Sequence, residues 1–246
     1  MISSLAFLAT ILVLGAPMSL VLIPWTIVTR NANALYSTSM AILRAALWMA
    51  RIRVEARGLD RVPSNAACLF MSNHVSNLDP PCLLPKLPGR TSAFLKRSLT
   101  KIPVFGAGLR LADFVPVDRD GRAETAQESA AVAKRVLEKG LHLIVFVEGT
   151  RSPDGRMLPF KRGPFYLAMD SGAQCLPISI HGTETMMAKG SLRIRPGTAH
   201  VVFHPPLWPR DFATREELME AVREAIASGL PEWMRGESVD HTEKRY

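Results

Sequence analysis

The stretch AETAQESAAVAKRVLEKGLHLIVFVEGTRS, residues 123–152, decides the fold. Its first part has the composition and apolar spacing of a helix and stops at Gly140, a residue that commonly ends one. Residues 141–147, LHLIVFV, are then a continuous apolar run that reads as a buried strand, followed by the polar turn EGTRS. Helix, buried strand and polar turn in succession are the repeating unit of an α/β protein.

Residues 67–72, ACLFMS, and 174–180, QCLPISI, are apolar runs of the same kind. Together they predict an α/β domain with a mixed, largely parallel central sheet flanked by helices. Residues 191–207 read as a late hairpin turning at Pro196-Gly197. Thr214 and Glu217 stand at capping-box spacing before a last amphipathic helix, and the chain from Gly229 onward reads as loosely held. The expected organisation is an N-terminal hydrophobic and amphipathic segment (1–54), an α/β domain (55–228) and a tail (229–246).

The composition fits one sizeable domain: 246 residues, 48% of them hydrophobic. Lys and Arg number 30 against 22 Asp and Glu, a formal net charge of +8, which favours an anionic partner such as phospholipid, phosphorylated metabolite or nucleic acid. Cys68, Cys82 and Cys175 show no C-x-x-C spacing, so neither a disulfide framework nor a structural zinc site is indicated.

Residues 1–29 carry no charge, and residues 5–28 as one helix extend about 36 Å, close to the thickness of a bilayer core. Membrane association is expected. A cleaved signal peptide fits less well, because no Lys or Arg precedes the run and the run outlasts an h-region. Pro17 and Pro24 leave a full span and a kinked insertion into one leaflet both open. Beyond it, Tyr36, Met40, Leu43, Leu47 and Ala50 recur at steps of four and three, with Ser37, Arg44 and Arg51 in a separate stripe. Such a helix suits anionic lipid headgroups or the flank of a domain core, and its place after a membrane segment favours lipid. Arg30, Arg44, Arg51 and Arg53 all follow the apolar run, which puts the main domain on the cytoplasmic side of the inner membrane.

Two polar turns carry the reactive side chains. SNHVSNLDP, residues 72–80, follows the first buried strand, and EGTRS, residues 148–152, follows the second. Each residue in the first has a plain reading: Asp79 before Pro80 as a helix N-cap, Asn73, Ser76 and Asn77 as turn formers, and His74 as a structural histidine. In open α/β sheets, however, sites gather outside the carboxyl ends of strands, so the two turns are expected to share a crevice.

NHVSNLDP resembles the N-H-x-x-x-x-D block of the glycerolipid acyltransferase family, which contains the bacterial 1-acyl-glycerol-3-phosphate acyltransferases. FVEGTRS is similar to its F-P-E-G-T-R-S block. Residues 96–119 are similar to the intervening block, with Lys96, Gly106 and Arg119 matching, and LPISI, residues 176–180, resembles the fourth. The blocks fall in family order between Asn73 and Ile180. Val147 replaces the usual proline, and Asp113-Phe114-Val115 replaces a more glycine-rich approach to the arginine.

The resemblance implies His74 and Asp79 as the catalytic pair. It implies Lys96, Arg119, Glu148, Gly149, Thr150 and Arg151 as substrate-binding residues, the last four at the acceptor phosphate. The implied donor is acyl-CoA or acyl carrier protein, with no further cofactor and no metal. The implied acceptor is a lysophospholipid, above all 1-acyl-glycerol-3-phosphate, with lyso-ornithine lipid and other lysolipids as alternatives. A membrane with anionic lipids is the implied partner, and nucleic acid is not.

Physical chemistry gives the same residues a purpose. Acyl transfer to an alcohol needs a base for the hydroxyl proton, and histidine titrates near neutrality. An aspartate turned back onto the ring fixes its tautomer. Gly149 lets backbone N–H groups approach an anion, Arg151 offers a planar fork, and Glu148 beside it is expected to orient that fork. No G-x-S-x-G elbow occurs, which disfavours a serine hydrolase and an acyl-serine step. Two other classes remain: a metal hydrolase using His74, Asp79 and His181 or His204, which lacks tight ligand spacing, and a non-catalytic binder of anionic lipid.

Overall fold

A computed structural model of the chain describes residues 1–63, 66–118 and 123–236. The uncharged N-terminal run forms one helix, α1 (Ile2–Thr29), continuous through Pro17 and Pro24. Arg30, in the left-handed conformation, turns the chain into α2 (Asn33–Met49). There follow β1 (Ile52–Arg57), β2 (Cys68–Ser72), α3 (Asp79–Leu83), β3 (Thr91–Lys96), α4 (Phe105–Leu111) and β4 (Val115–Val117). Then come α5 (Ala123–Glu138), β5 (His142–Phe146), α6 (Gly163–Ser171), β6 (Gln174–His181), α7 (Thr183–Met186), β7 (Gly197–Phe203) and α8 (Arg215–Ser228).

Among the described residues the strands form one seven-stranded sheet in the order β1-β7-β6-β2-β5-β3-β4. Every neighbouring pair is parallel except β6 and β7. The apolar runs are continuous because both faces are covered. Phe70, Ile144, Leu176 and Ile178 pack on one face with Tyr36, Met40 and Leu47 of α2 and Leu83 of α3. Leu69, Met71, Leu143, Val145 and Cys175 pack on the other against Val136 of α5, Phe165 of α6 and Leu218 and Val222 of α8. This three-layer frame brings the carboxyl ends of β2, β5, β3 and β6 to one edge.

Four expectations are corrected. The hairpin over residues 191–207 is absent: only Gly197–Phe203 is a strand, pairing with β6 and β1. Residues 191–196 are drawn out of the sheet, with the Arg195 N–H on the Met186 carbonyl and the Ile194 N–H on Ser4 Oγ. The apolar stripe of α2 does not meet lipid, because Tyr36, Met40, Leu47 and Ala50 are buried in the domain core. A boundary at Val54 therefore cuts through β1, which pairs with β7 along Ile52–Arg57. The loosely held tail does not begin at Gly229 either: Leu230 and Met234 are buried, and the Met157 N–H donates to the Met234 carbonyl. Residues 237–246 lie outside the described residues.

Candidate active site

The turn after β2 is built around one buried carboxylate. Asp79 is fully buried, and its Oδ2 accepts hydrogen bonds from the backbone N–H groups of Val75 (2.7 Å) and Ser76 (2.8 Å). The same oxygen lies 2.7 Å from His74 Nδ1. Thr183 Oγ1 donates to Oδ1 at 2.5 Å. Asp79 is thus the first residue of α3 and not its cap: Leu78 takes the N-cap place, and the carboxylate turns back onto the loop behind it. A carboxylate that only accepts requires the proton on Nδ1, which leaves the Nε2 lone pair free. Phe146 stacks on the imidazole with centroids 3.9 Å apart and planes at 19°, fixing its rotation. Asn73 shapes more than the turn, since its amide oxygen accepts from the Ile180 N–H and its amide nitrogen donates to the Ile180 carbonyl, both at 2.8 Å. The end of β2 is thereby fastened to β6.

The turn after β5 grips His74 from the other side. Glu148 Oε1 accepts the His74 N–H at 2.9 Å and Oε2 the Leu158 N–H at 3.0 Å, while the Ser152 N–H donates to the His74 carbonyl at 2.8 Å. Burial pushes the Glu148 carboxyl up to about 7, opposed by those two backbone donors. Each of its oxygens thus accepts one main-chain N–H, and no hydrogen bond joins it to Arg151 among the described residues. Gly149 is exposed at φ +68°, where a Cβ would lie 3.0 Å from Lys161 Cγ. Thr150 and Arg151 are half-buried, and Arg151 Nη1 is buried without a hydrogen-bond partner among the described residues. A lone pair on one side and an unspent guanidinium N–H in the neighbouring turn suit proton removal and anion binding.

The sequence pattern that defines the family described as Acyltransferase matches residues 53–181. The chain belongs to this family. The 1-acyl-sn-glycerol-3-phosphate acyltransferase of Limnanthes alba is 30% identical over 212 residues, covering 85% of this chain and 74% of that protein. The human 1-acyl-sn-glycerol-3-phosphate acyltransferase alpha is 34% identical over 173 residues, covering 69% and 61%. The crystal structure of the 1-acyl-sn-glycerophosphate (LPA) acyltransferase PlsC from Thermotoga maritima superposes with a TM-score of 0.78 at 27% identity, covering 96% of both chains.

The remaining expected positions of this acyltransferase divide. Lys96 ends β3, exposed, at the same sheet edge as His74 and one strand beyond β5. Arg119 lies outside the described residues. Gly106 is needed for closure, because a Cβ there would overlap the Thr100 carbonyl. Asp113 occupies a left-handed conformation (φ 63°), which is what a glycine would favour, and holds it with ion pairs to Arg90 and Lys139, each 2.7 Å. His181 stacks on His200, and His204 Nε2 meets Ser179 Oγ at 2.7 Å, so neither imidazole joins His74 and Asp79 in a donor set. Two contributors have no local signal in the NHVSNLDP stretch: Phe146 arrives from β5 and Thr183 from the turn after β6. A Gly-Thr pair directly after a buried strand was the only hint of the second.

Proposed function

We propose that the protein transfers a fatty acyl chain from a thioester donor, acyl-CoA or acyl carrier protein, to the sn-2 hydroxyl of 1-acyl-glycerol-3-phosphate, giving phosphatidic acid. The observation that carries this reading is the His74–Asp79 pair at 2.7 Å, oriented by a buried carboxylate that can only accept. His74 Nε2 takes the acceptor's hydroxyl proton as the oxygen attacks the thioester carbonyl. Asp79 stabilises the imidazolium that forms. When the C–S bond breaks, the departing thiolate takes the proton from Nε2, leaving the ester, the thiol and the original imidazole. The transfer is direct, without an acyl-enzyme intermediate.

Arg151 seats the acceptor's phosphate, with its unpartnered Nη1 available to one oxygen. Gly149 lets the backbone approach the same group, and Lys96 and Arg119 supply further positive charge. The names of the relatives support a phosphorylated glycerolipid acceptor. The exposed apolar surface of α1, long enough to cross a membrane, supports work at a membrane surface, and the arginines that follow it favour a domain on the cytoplasmic side. A panel of lysolipids with and without phosphate, each offered with both donor types, tests the assignment. Preferred turnover of 1-acyl-glycerol-3-phosphate is expected. Preferred turnover of lyso-ornithine lipid would reassign the acceptor, and binding without turnover would leave a lipid-binding protein.

A further inference from the structure

We propose that Thr183 is a positioning residue of the acyl-transfer site, the third member of a His74–Asp79–Thr183 chain of hydrogen bonds. The inference rests on the catalytic reading of His74 above. Asp79 Oδ2 already serves His74 Nδ1 and two backbone N–H groups, whereas Thr183 Oγ1 at 2.5 Å is the only donor to Oδ1 among the described residues. Both Asp79 and Thr183 are fully buried, so water does not substitute freely for that hydroxyl. A charged carboxylate only accepts, so the threonine donates.

The local fold is committed to this contact. Gly182 sits at φ +90°, and a Cβ there would lie 2.4 Å from the Thr198 carbonyl, so only glycine makes the turn that brings Thr183 back onto Asp79. On either side of it, Asn73 fastens β2 to Ile180 and Ser76 Oγ donates to the Met187 carbonyl at 2.7 Å. Asp79 is thereby held between two turns, one presenting His74 and one presenting Thr183.

Loss of the Thr183 hydroxyl leaves Oδ1 as an orphaned buried acceptor. The carboxylate escapes that penalty by rotating toward another donor, and that movement releases the imidazole from its working tautomer. Thr183→Val, nearly isosteric, is expected to lower kcat about tenfold to hundredfold with little change in either KM. Thr183→Ser should restore kcat. His74, Cys82, Glu148 and Glu184 also act on Asp79 or are acted on by it, and all four are common to both variants, so the difference between them isolates the hydroxyl.

A purely structural role predicts lowered melting temperatures with kcat unmoved in the folded protein. If Thr183→Val does not fold, Thr183→Cys supplies a weak S–H donor in its place and should give a smaller loss of kcat. An unchanged kcat in a folded Thr183→Val or Thr183→Cys protein, while His74→Ala is inactive, would overturn the inference. An active His74→Ala protein would instead overturn the catalytic reading beneath it.

Discussion

His74 shows how much of a site one residue's surroundings decide. Its ring is gripped by Asp79 and Phe146, and its main chain by Glu148 and Ser152, so removing the imidazole should disturb chemistry more than folding. His74→Ala is expected to lose about 10²- to 10⁴-fold in rate with an unchanged circular dichroism spectrum, and retention of more than roughly a tenth of the rate would remove it as the base. Glu148 makes a different claim. Its carboxyl is raised from 4.5 to about 7, so between those pH values the folded state holds a proton that the unfolded chain has released. Its contribution to stability therefore declines as pH rises through that window, each tenfold in proton affinity being worth about 1.4 kcal/mol. Glu148→Gln should melt lower at acidic pH, having turned an amide N–H₂ toward a backbone N–H, and should show a flatter melting temperature from pH 5 to 8. A parallel pH dependence in the two proteins would refute that assignment. Arg151→Lys keeps the charge but loses the fork, so turnover of the phosphorylated acceptor should fall about ten- to hundredfold, as for a hydrogen bond to a charged group. Kinetics on a phosphate-free acceptor provide the control, and equal losses on both would sink the phosphate seat. The pairing of His74 with Asp79 was legible through the resemblance to the N-H-x-x-x-x-D block, whose five-residue step puts both in one turn. The part played by Glu148 was not, because its sequence neighbour Arg151 suggested an ion pair while the backbone N–H groups of His74 and Leu158 claimed both oxygens.

At the scale of elements, the buried strands β2, β5 and β6 were readable because both faces are apolar, and α5 because its pattern closes on Gly140. Edge strand β1 escaped notice although IRVEAR alternates in burial, since six residues beside a basic helix resemble a surface connection. The late hairpin failed because a turn signal at Pro196-Gly197 says nothing about which partner the outgoing strand takes. β7 found two better partners in β6 and β1. The amphipathic stripe of α2 was correctly drawn, but a stripe does not reveal what it faces, and here it faces Phe70 and Ile178 in the core. A difference between two truncations follows. Deleting residues 1–31 removes a helix that is mostly unburied, whereas deleting residues 1–54 also strips Tyr36, Met40, Leu47, Ala50 and Ile52 from the core and half of β1 from the sheet. Each large apolar core side chain lost is worth about 2–5 kcal/mol, so the longer deletion should exceed the whole stability of a typical domain. The shorter product should keep a cooperative melt in detergent and the longer one should not. A folded, active protein lacking residues 1–54 would show that α2 is an appendage.

For the whole molecule, the proposed work at a membrane surface can rest on apolar surface or on charge. A formal net charge of +8 would act on anionic lipid over a distance set by the salt, about 10 Å at 0.1 M and about 3 Å at 1 M. The apolar face of α1 does not depend on that distance. Leu5, Leu8, Leu12, Val13, Leu20, Val21, Trp25 and Ile27 are all exposed along one helix of 28 residues, a surface that water penalises at any ionic strength. The intact protein should therefore sediment with neutral as well as anionic vesicles and stay bound at about 1 M salt, where the Debye length falls below a headgroup's width. Without residues 1–31, the anionic preference should survive at low salt through Arg51, Arg53 and Lys101, all exposed, and disappear as salt rises. Co-sedimentation across a salt series with both proteins and both vesicle types separates the two contributions. Release of the intact protein by salt alone would make the attachment electrostatic and leave the exposed face of α1 without its lipid, while salt-resistant binding of the shortened protein would move the apolar contact into the α/β domain.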